Sequence, residues 1–439
     1  MAVTSTTPTP RVGARARTLL RACGGPRYAV ALAVDALGTG LLRPFLLLYG
    51  VTVLHLSASA TGLAMTAGIV IGLLCMPAVG KWLDRGARST VVAASMLIRV
   101  VGVAVLVATP AGHVWPFAAA ALLLGIGNQA WPAAHAALVA TLAHGRERDT
   151  ALAAGRALRN AGLGAGALVA MACLAGGASA LQALAGVTGV AYLAAAGLAW
   201  SVRVRAGRET TLPATPAGRE EPSPRMRVLL AANVVYVFCL NVPEIALPLV
   251  LLTQLHASPA WSAAIFVANT VLVVTLQVPL TLLMSRYARR TALTTAGVVL
   301  TASYAGFLAV TSLGAGEGRG WAAPAVAAVS VVCTLGEIIY AGSATALVTA
   351  LAPARVLGST LARFELSTGF GLAVSPAAIT ALAPHGPAAL WGTLAAATLL
   401  SASAVAAEAE PRRPRPEPRA GHGPVPAVPA PDKVPRTQG

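Results

Sequence analysis

Twelve long apolar runs divide the 439-residue chain, and they constrain its fold more than any other feature. A helix that crosses the hydrocarbon of a bilayer needs about 20 mostly apolar residues, and each run is close to this length. Because the first run can span by itself, we interpret it as a retained helix and not as a cleaved signal peptide. The predicted helices 1 to 12 are Tyr28–Tyr49, Ala60–Gly80, Ser89–Thr109, Trp115–Ala143, Leu158–Ala175, Ala180–Val202, Val228–Leu252, Trp261–Met284, Thr291–Leu313, Trp321–Leu351, Leu357–Ala383 and Ala388–Ala407.

Composition excludes the soluble alternatives. Charged residues make up 11% of the chain and hydrophobic residues 56%, whereas soluble domains carry about 25% charged residues and disordered chains are poor in hydrophobic ones. The five cysteines form no CxxC pair and the seven histidines no HxxxH pair, so we expect no disulfide, no metal site and no cofactor. The sequence therefore predicts an all-α membrane protein.

The net charge of +17 reflects membrane topology and does not indicate binding of nucleic acid. If both termini are cytoplasmic, 27 of the 32 basic residues fall in cytoplasmic segments and only Arg319 falls on the opposite side. The remaining four, Arg43, Arg99, Arg159 and Arg363, lie within predicted spans. Cytoplasmic loops of membrane proteins are enriched in Lys and Arg. We therefore expect a multi-pass protein of the cell membrane with both termini in the cytoplasm.

The chain divides into two similar halves. Polar segments at 1–27, 203–227 and 408–439 flank two six-helix units at 28–202 and 228–407; the first is a predicted cytoplasmic tail, the second a cytoplasmic linker and the third a disordered, proline-rich tail. Arg43–Leu48 resembles Leu247–Leu252 at an offset of 204 residues, and Asp84–Arg88 resembles Ser285–Arg289 at an offset of 201. These offsets predict two pseudo-symmetric six-helix bundles, as expected for one large class of transporters.

The loop between helices 2 and 3 contains a recognisable motif. Gly80-Lys81-Trp82-Leu83-Asp84-Arg85, followed by Arg88, resembles the loop 2–3 signature of the major facilitator superfamily. The second glycine of the signature stands one position early, at Gly86. The resemblance implies a cytoplasmic gate motif formed by Gly80, Asp84, Arg85 and Arg88, in which the acid and the arginines pair across the gate. A loop that only follows the positive-inside rule is the alternative.

The resemblance covers the twelve helices and implies a secondary transporter that moves a small molecule by alternating access. Within the superfamily, the chain resembles bacterial members of the drug/proton antiporter type, which implies proton-coupled efflux by a monomer. Two departures weaken that assignment: Leu124–Gln129 contains no arginine, and Gly166 is followed by Ala167 where antiporters carry proline. A metabolite importer or uniporter of the same fold stays open. A membrane-embedded transferase is a further alternative, although we find no catalytic constellation for one.

Charged residues inside spans cost about 2.5–3.5 kcal/mol near a helix centre, so they usually face a polar cavity or a partner. By resemblance, helices 1, 4, 7 and 10 line the cavity, and polar residues elsewhere could orient a substrate or tie helices together. As proton carrier we select Asp35 first and Glu337 second, with a structural ion pair as the alternative. The cavity candidates are Asp35, Arg43, Asn128, Gln129, Glu244, Asn269, Gln277, Glu337 and Glu365.

Helix 5 carries a separate group of candidates, Arg159, Asn160, Gly162 and Gly166, which we assign to helix packing or to the gate. Glycines inside an apolar span are typical of close helix–helix contacts. Arg159 lies near a predicted cytoplasmic end, where a long side chain can also extend to the interface. Arg99 lies on helix 3, which is expected to be peripheral, and the sequence assigns it no role.

Overall fold

The structure is a computed structural model that describes residues 25–86, 88–173, 176–202, 224–314 and 320–407. Most of the predicted tail at 1–27, most of the predicted linker at 203–227 and all of the tail at 408–439 lie outside the described residues. Within the described ranges the chain forms helices and short turns and no β-strand. The all-helical class predicted from the apolar runs is confirmed.

The first half contains six helical segments. Segments 1 and 2 are interrupted, and the other four are continuous α-helices. Helix 1 comprises Pro26–Leu42, a 3₁₀ turn at Arg43–Phe45 and Leu46–Thr52; helix 2 comprises Ala58–Leu74 and Met76–Asp84; helices 3 to 6 are Arg88–Ala108, Val114–Leu142, Gly145–Cys173 and Gly177–Ser201.

The second half repeats this arrangement. Its first segment is again interrupted, here by 3₁₀ and π geometry, and its last segment begins with a π turn. Helix 7 comprises Pro224–Tyr236, Val237–Asn241, Val242–Ala246 and Leu247–Thr253; helices 8 to 11 are Pro259–Met284, Arg289–Gly314, Ala322–Leu351 and Leu357–Leu382; helix 12 comprises Ala388–Gly392 and Thr393–Ala407.

Most of these segments are long and apolar enough to cross a bilayer. Among the described residues, nine meet the length and hydropathy expected of a span, and helix 1, bent by 42°, makes a tenth. Helices 4 and 5 do not meet the hydropathy requirement. Asn128 and Gln129 interrupt the apolar sequence of helix 4, and ionisable residues occupy the first part of helix 5. In both exceptions, polar or ionisable residues therefore lower the mean hydropathy of the helix.

The helices of the two halves pack in matching pairs. In the first half, helix 1 packs against helices 5 and 6, helix 4 against helices 2 and 3, and helix 3 against helix 6. In the second half, helix 7 packs against helices 11 and 12, helix 10 against helices 8 and 9, and helix 9 against helix 12. Helices 2 and 11, and helices 5 and 8, form the main contacts between the halves. The predicted pseudo-symmetry of two bundles is confirmed.

Two unusual turns repeat the same symmetry. His55 and His256, 201 residues apart, adopt left-handed backbone conformations with φ of 54° and 47°, which residues other than glycine and asparagine rarely adopt. After each, a serine begins the next helix: Ser57 accepts a hydrogen bond from the Ala60 N–H, and Ser258 accepts one from the Ala260 N–H. The turns between helices 1 and 2 and between helices 7 and 8 are therefore copies of one local structure.

Helix 5 begins 13 residues earlier than predicted, at Gly145 instead of Leu158. The predicted loop between helices 4 and 5 shrinks to Ala143 and His144, and its basic residues lie on the helix. The stretch is rich in Ala and Arg, which are strong helix formers, and a helix can extend beyond the apolar part of its sequence. An apolarity criterion locates where a span enters hydrocarbon and not where the helix starts.

Prolines break some spans and not others. Helix 1 changes to 3₁₀ geometry at Arg43–Phe45, helix 2 is interrupted at Cys75 two residues before Pro77, and helix 7 changes to π geometry at Val242–Ala246. Pro132, Pro279 and Pro376 lie inside continuous α-helices. Among the described residues, the interruptions of α-helical geometry that lie next to a proline within a span are thus in helices 1, 2 and 7.

Candidate functional site

Asp35 lies at the centre of a buried charge cluster that joins helices 1, 3 and 5. Its side chain is fully buried, and Oδ1 accepts a hydrogen bond from Arg99 Nη2 at 2.5 Å. The second carboxylate oxygen, Oδ2, lies 3.7 Å from Arg159 Nη1. One carboxylate therefore faces two guanidinium groups, and the cluster carries one surplus positive charge.

Arg99, to which sequence reasoning assigned no role, is as fully buried as Asp35. Its side chain is fully buried and donates to Thr39 Oγ1 at 3.4 Å and to Asn128 Oδ1 at 3.5 Å. Its Cζ atom lies 4.6 Å from the centroid of the Tyr192 ring, whose hydroxyl also donates to Thr39. Arg99 thus ties helix 3 to helices 1, 4 and 6, and Asp35 neutralises it inside the first bundle.

Arg159 continues the cluster towards an aromatic stack that sequence reasoning missed. Its Cζ atom lies 4.2 Å from the Trp131 ring centroid, within the range of a cation–π contact. Trp131 stacks on His135 at 5.0 Å, and His135 Nδ1 is 2.9 Å from the Tyr28 hydroxyl. The only sequence signal was a tryptophan four residues from a histidine within helix 4.

The glycines of helix 5 allow it to cross helix 1 at close range. A Cβ atom on Gly162 would lie 2.6 Å from the Cβ of Ala36, and one on Gly166 would lie 2.3 Å from the Leu37 carbonyl oxygen. Side chains larger than glycine cannot occupy these positions without moving the helices. Asn160, next to this crossing, is half-buried. The glycine spacing thus has a packing role, which positions Arg159.

In the second half, Glu337 of helix 10 is held by an amide. Its Oε2 accepts a hydrogen bond from Asn269 Nδ2 of helix 8 at 2.9 Å, and the same nitrogen donates to Thr334 Oγ1 at 3.0 Å. Among the described residues no basic side chain forms an ion pair with Glu337. Gln277 is fully buried and donates to the Ile338 carbonyl at 3.3 Å, which ties helix 8 to helix 10.

The other cavity candidates differ in exposure. Arg43 and Glu244 are exposed, and Gln129 and Glu365 are half-buried. Across the described ranges, none of these four has a recorded ion pair. The described residues also contain no group of three or more His, Cys, Asp or Glu that could hold a metal ion.

Asp84 of the loop 2–3 motif binds the start of helix 11. Its carboxylate accepts hydrogen bonds from the N–H of Gly358 at 2.6 Å and the N–H of Ser359 at 3.0 Å, and the Ser359 hydroxyl donates to it as well. Free N–H groups and the helix dipole make a helix N-terminus a favourable site for a carboxylate. The contact joins the two halves at the end of the bundle that carries the turns 2–3, 4–5, 8–9 and 10–11, here called the basic end.

Two glycines permit this contact. A Cβ atom on Gly80 would lie 2.8 Å from the Cβ of Ala362, and one on Gly358 would lie 2.4 Å from the Cβ of Leu83. Gly86 has φ of +84°, a left-handed conformation, and its N–H bonds to the Leu83 carbonyl at the end of helix 2. The glycine that stands one position early in the motif is therefore the residue that ends helix 2.

Among the described residues, neither arginine of the motif forms an ion pair with Asp84. Arg85 is exposed, whereas Arg88 is buried and donates to the Thr141 hydroxyl and to the Ala137 carbonyl of helix 4. Arg88 therefore ties helix 3 to helix 4 within one half. Backbone N–H groups of helix 11, which a sequence motif does not show, bind the acid instead, and the gate role of the motif stays a prediction.

A second set of contacts between the halves lies at the start of helix 5. Asp149 Oδ2 accepts from Arg289 Nη2 at 2.9 Å and from Arg289 Nε at 3.1 Å. Arg146 Nε donates to Ser285 Oγ at 3.1 Å. Sequence analysis missed Asp149, although it is an acid among the basic residues of a stretch predicted to be a loop.

A third contact belongs to the same set. Arg148 Nη1 donates to the Thr349 carbonyl at the end of helix 10, at 3.1 Å. The first half therefore reaches helix 9, helix 10 and helix 11 of the second half at the basic end. Together the Asp84 and Asp149 contacts hold the two halves closed there.

Comparison with known proteins gives consistent results. A family model described as Major Facilitator Superfamily matches residues 28–376. No curated protein matches the chain. Three similar solved structures are a bacterial homologue of the iron transporter ferroportin in an outward-facing state, the human organic anion transporter MFSD10 (TETRAN), and the transporter FucP in the outward conformation.

These likenesses extend over almost the whole fold at low sequence identity. The ferroportin homologue has a TM-score of 0.73 at 13% identity, covering 87% of this chain and 98% of that one. MFSD10 has a TM-score of 0.66 at 15% identity, covering 88% and 99%. FucP has a TM-score of 0.68 at 13% identity, covering 87% and 95%. Such identities establish the fold alone.

Proposed function

This chain belongs to the Major Facilitator Superfamily, and from that membership we propose that it exports a small molecule in exchange for protons. The family fold supports membrane transport by alternating access and points to a transporter and not to an enzyme. The proposal adds the coupling ion and the direction. In it, the chain acts as a monomer in the cell membrane and uses no cofactor.

The position and the contacts of Glu337 are the main support for this proposal. It lies 14 residues from the end of helix 10, about 21 Å along the helix axis and thus close to mid-membrane. An isolated carboxylate in such surroundings is costly to keep ionised, and the hydrogen bond from Asn269 is the only polar contact recorded for its side chain within the described ranges. A group of this kind can bind a proton on one side of the membrane and release it on the other.

Asp35, our first choice from the sequence, is less suited to this role. Arg99 and Arg159 both lie against its carboxylate, and removing the negative charge would leave two buried guanidinium groups without compensation. We therefore assign Asp35 to the architecture of the first bundle. Glu337, the second choice, becomes the first.

The contacts of Asp84 and Asp149 supply the gate in this proposal. We propose that the basic end faces the cytoplasm, as the distribution of arginines predicts. Closure at that end then corresponds to an outward-facing state, in which a substrate leaves towards the exterior. Protons that enter the cavity from outside would reach Glu337 in the same state.

Transport in membrane vesicles tests the proposal. Inside-out vesicles that contain the protein are given an acidic lumen and a pooled library of small molecules, and accumulated compounds are identified by mass spectrometry. The wild type is expected to accumulate a subset that collapses when the pH gradient is dissipated. Glu337→Gln is expected to lose pH-driven accumulation but to keep exchange of the same compounds. Glu147→Gln, an exposed acid at the start of helix 5, serves as the matched control.

Three results would contradict the proposal. If Glu337→Gln accumulates the compounds as well as the wild type does, Glu337 is not the proton carrier. If compounds accumulate only in right-side-out vesicles, the protein is an importer. Uptake that ignores the pH gradient in both orientations would identify a uniporter.

A further inference from the structure

The charged side chains within the spans of the two halves differ in their prevailing sign. Within the first bundle, Asp35 is outnumbered by Arg99 and Arg159, and Arg156 adds a further positive charge on helix 5. Arg156 is half-buried and has no recorded hydrogen bond or ion pair among the described residues. The part of helix 5 that contains Arg156 and Arg159, here called the basic wall, therefore has an excess of guanidinium groups.

The second bundle contributes three acids, here called the acidic wall. Glu337 on helix 10 and Glu365 on helix 11 are half-buried, and Glu244 on helix 7 is exposed. In the described part of the chain no lysine or arginine lies within ion-pair distance of any of the three. Arg363, the basic residue nearest to Glu365 in the sequence, is itself exposed.

The two walls lie at the same depth. Arg156 and Arg159 are about 16 and 21 Å along helix 5 from its start at the basic end, and Glu365 and Glu337 are about 12 and 21 Å along helices 11 and 10 from the same end. Helix 5 also packs against helix 8. The two helices come close at Gly164, where an added Cβ atom would lie 3.7 Å from Thr270 Cγ2. Thr270 follows Asn269, the residue that binds Glu337.

The charges act on each other across the seam between the halves without forming contacts. The charge of Arg156 acts on both Glu337 and Glu365, and the charge of Arg159 acts on Glu365. No ion pair within 4.0 Å links these groups among the described residues. The seam therefore separates one positive and one negative surface by more than the length of an ion pair.

We propose that the transported molecule carries both an anionic group and a protonated amine, and that it bridges this seam. The anionic group would face Arg156 and Arg159, which present N–H donors suited to carboxylate or phosphate. The amine would face Glu337 and Glu365. This inference rests on the proposed transport function and specifies its substrate class. A protonated amine and a proton would then compete for Glu337, which links substrate release to proton binding.

Binding to the purified protein tests the substrate class independently of transport. The probes are alanylphenylalanine and 6-aminohexanoic acid, each in four forms: unmodified, methyl ester, N-acetylated, and both modifications together. On each skeleton, the unmodified form carries both charges, the methyl ester only the positive charge and the N-acetylated form only the negative charge. The doubly modified form carries neither. Ligand-induced stabilisation against heat is measured for each form. The doubly charged form of at least one skeleton is expected to bind roughly 10-fold or more tightly than its singly charged forms.

Charge variants then assign the walls. Glu365→Gln should reduce the preference for the doubly charged form over the N-acetyl form about 10-fold and leave its preference over the ester unchanged. Arg156→Gln should do the reverse. The exposed residues Glu147 and Arg363 supply matched controls, Glu147→Gln and Arg363→Gln, which should bind like the wild type.

The outcomes separate this inference from the proposed function. Tightest binding by an ester, an N-acetyl form or an uncharged form overturns the inference, and so does the absence of binding by both doubly charged probes. Equal losses for all forms in Glu365→Gln and Arg156→Gln also overturn it, because the walls would then only support the fold. Failure of pH-driven accumulation in the vesicle experiment overturns the proposed function and leaves the binding result standing.

Discussion

The Asp84 carboxylate and the backbone N–H of Gly358, 274 residues apart in the chain, form a hydrogen bond of 2.6 Å that joins the two halves. The contact exists only when helix 2 and helix 11 meet at the basic end. It must break for the basic end to open, so its strength contributes directly to the equilibrium between the two access states.

Asp84→Asn should therefore favour opening at the basic end. The amide has the size of the carboxylate but lacks its charge, and charge-assisted hydrogen bonds contribute about 1.5–3 kcal/mol. Spin labels at positions 81 and 363, on helices 2 and 11, should report a larger population at long distance in a cysteine-free background. Arg85→Gln removes an exposed neighbouring charge and should leave the distribution unchanged. An identical distribution in Asp84→Asn and the wild type would show that this contact does not bias the gate.

The Asp149–Arg289 pair should couple by about 1 kcal/mol in a double-mutant cycle with the same spin-label measurement. The magnitude is modest because Arg289 is 31% exposed, and solvent screens such a pair. Asp149→Asn and Arg289→Gln should each favour opening, and the double variant should add little to either. Effects that simply add would mean that the two side chains do not act together.

Asp35→Asn should lower stability whereas Glu337→Gln should not, although each replaces an acid within a span by its amide. Breaking a buried ion pair by removing one partner costs about 3–5 kcal/mol. Asp35→Asn does this, because it leaves the buried Arg99 guanidinium without its carboxylate. Glu337→Gln removes a carboxylate without a basic partner, so the melting temperature should stay the same or rise. Thermal denaturation of both variants in one detergent checks the difference. Equal melting temperatures would remove the ground for assigning Asp35 to the architecture.

Gly358→Ala should open the basic end without disturbing either bundle. The added methyl group would meet Leu83 Cβ at 2.4 Å and the Gly80 carbonyl at 2.7 Å, both across the seam. Gly186→Ala introduces the same methyl group where no atom lies within 4 Å and serves as the control. We expect a shift in the spin-label distances for Gly358→Ala alone, with little change in melting temperature for either variant. A large fall in melting temperature for Gly358→Ala would indicate damage within a bundle.

The left-handed turns at His55 and His256 give a further test of the repeat. A β-branched residue is poorly accommodated at positive φ, and a left-handed L-residue already costs roughly 1–2 kcal/mol. His55→Val and His256→Val should both lower the melting temperature, whereas His55→Asn and His256→Asn should have little effect. A difference between the two positions larger than that between the two substitutions would show that the turns are not equivalent.

Much of the architecture could be predicted because its signals are local. An apolar run of about 20 residues already contains the information that makes it a span. The Asp84 motif likewise lies within nine residues, so a short stretch of sequence indicated a gate. The repeated turns at His55 and His256 were also present as similar residues 201 positions apart, but only their backbone angles identified them as equivalent.

The partners of each charge could not be predicted, because they depend on which helices meet. Arg99 stood alone on helix 3 in the sequence, and only the packing of helices 1 and 3 brings Asp35 against it. Asp149 fell in a stretch assigned to a loop, and helix 5 had to extend to Gly145 before it faced Arg289. Periodicity describes one helix at a time, whereas these contacts belong to pairs of helices.

Among the described residues, the carboxylates that bind across the basic end, Asp84 and Asp149, come from the first bundle, and the second bundle meets them with backbone amides and Arg289. Two copies of the first bundle would therefore oppose acid to acid at this surface. The two halves of the repeat are therefore complementary at this surface and not interchangeable. If the bundles were synthesised as separate polypeptides, they should assemble with each other in preference to themselves, which co-purification of differently tagged halves would reveal.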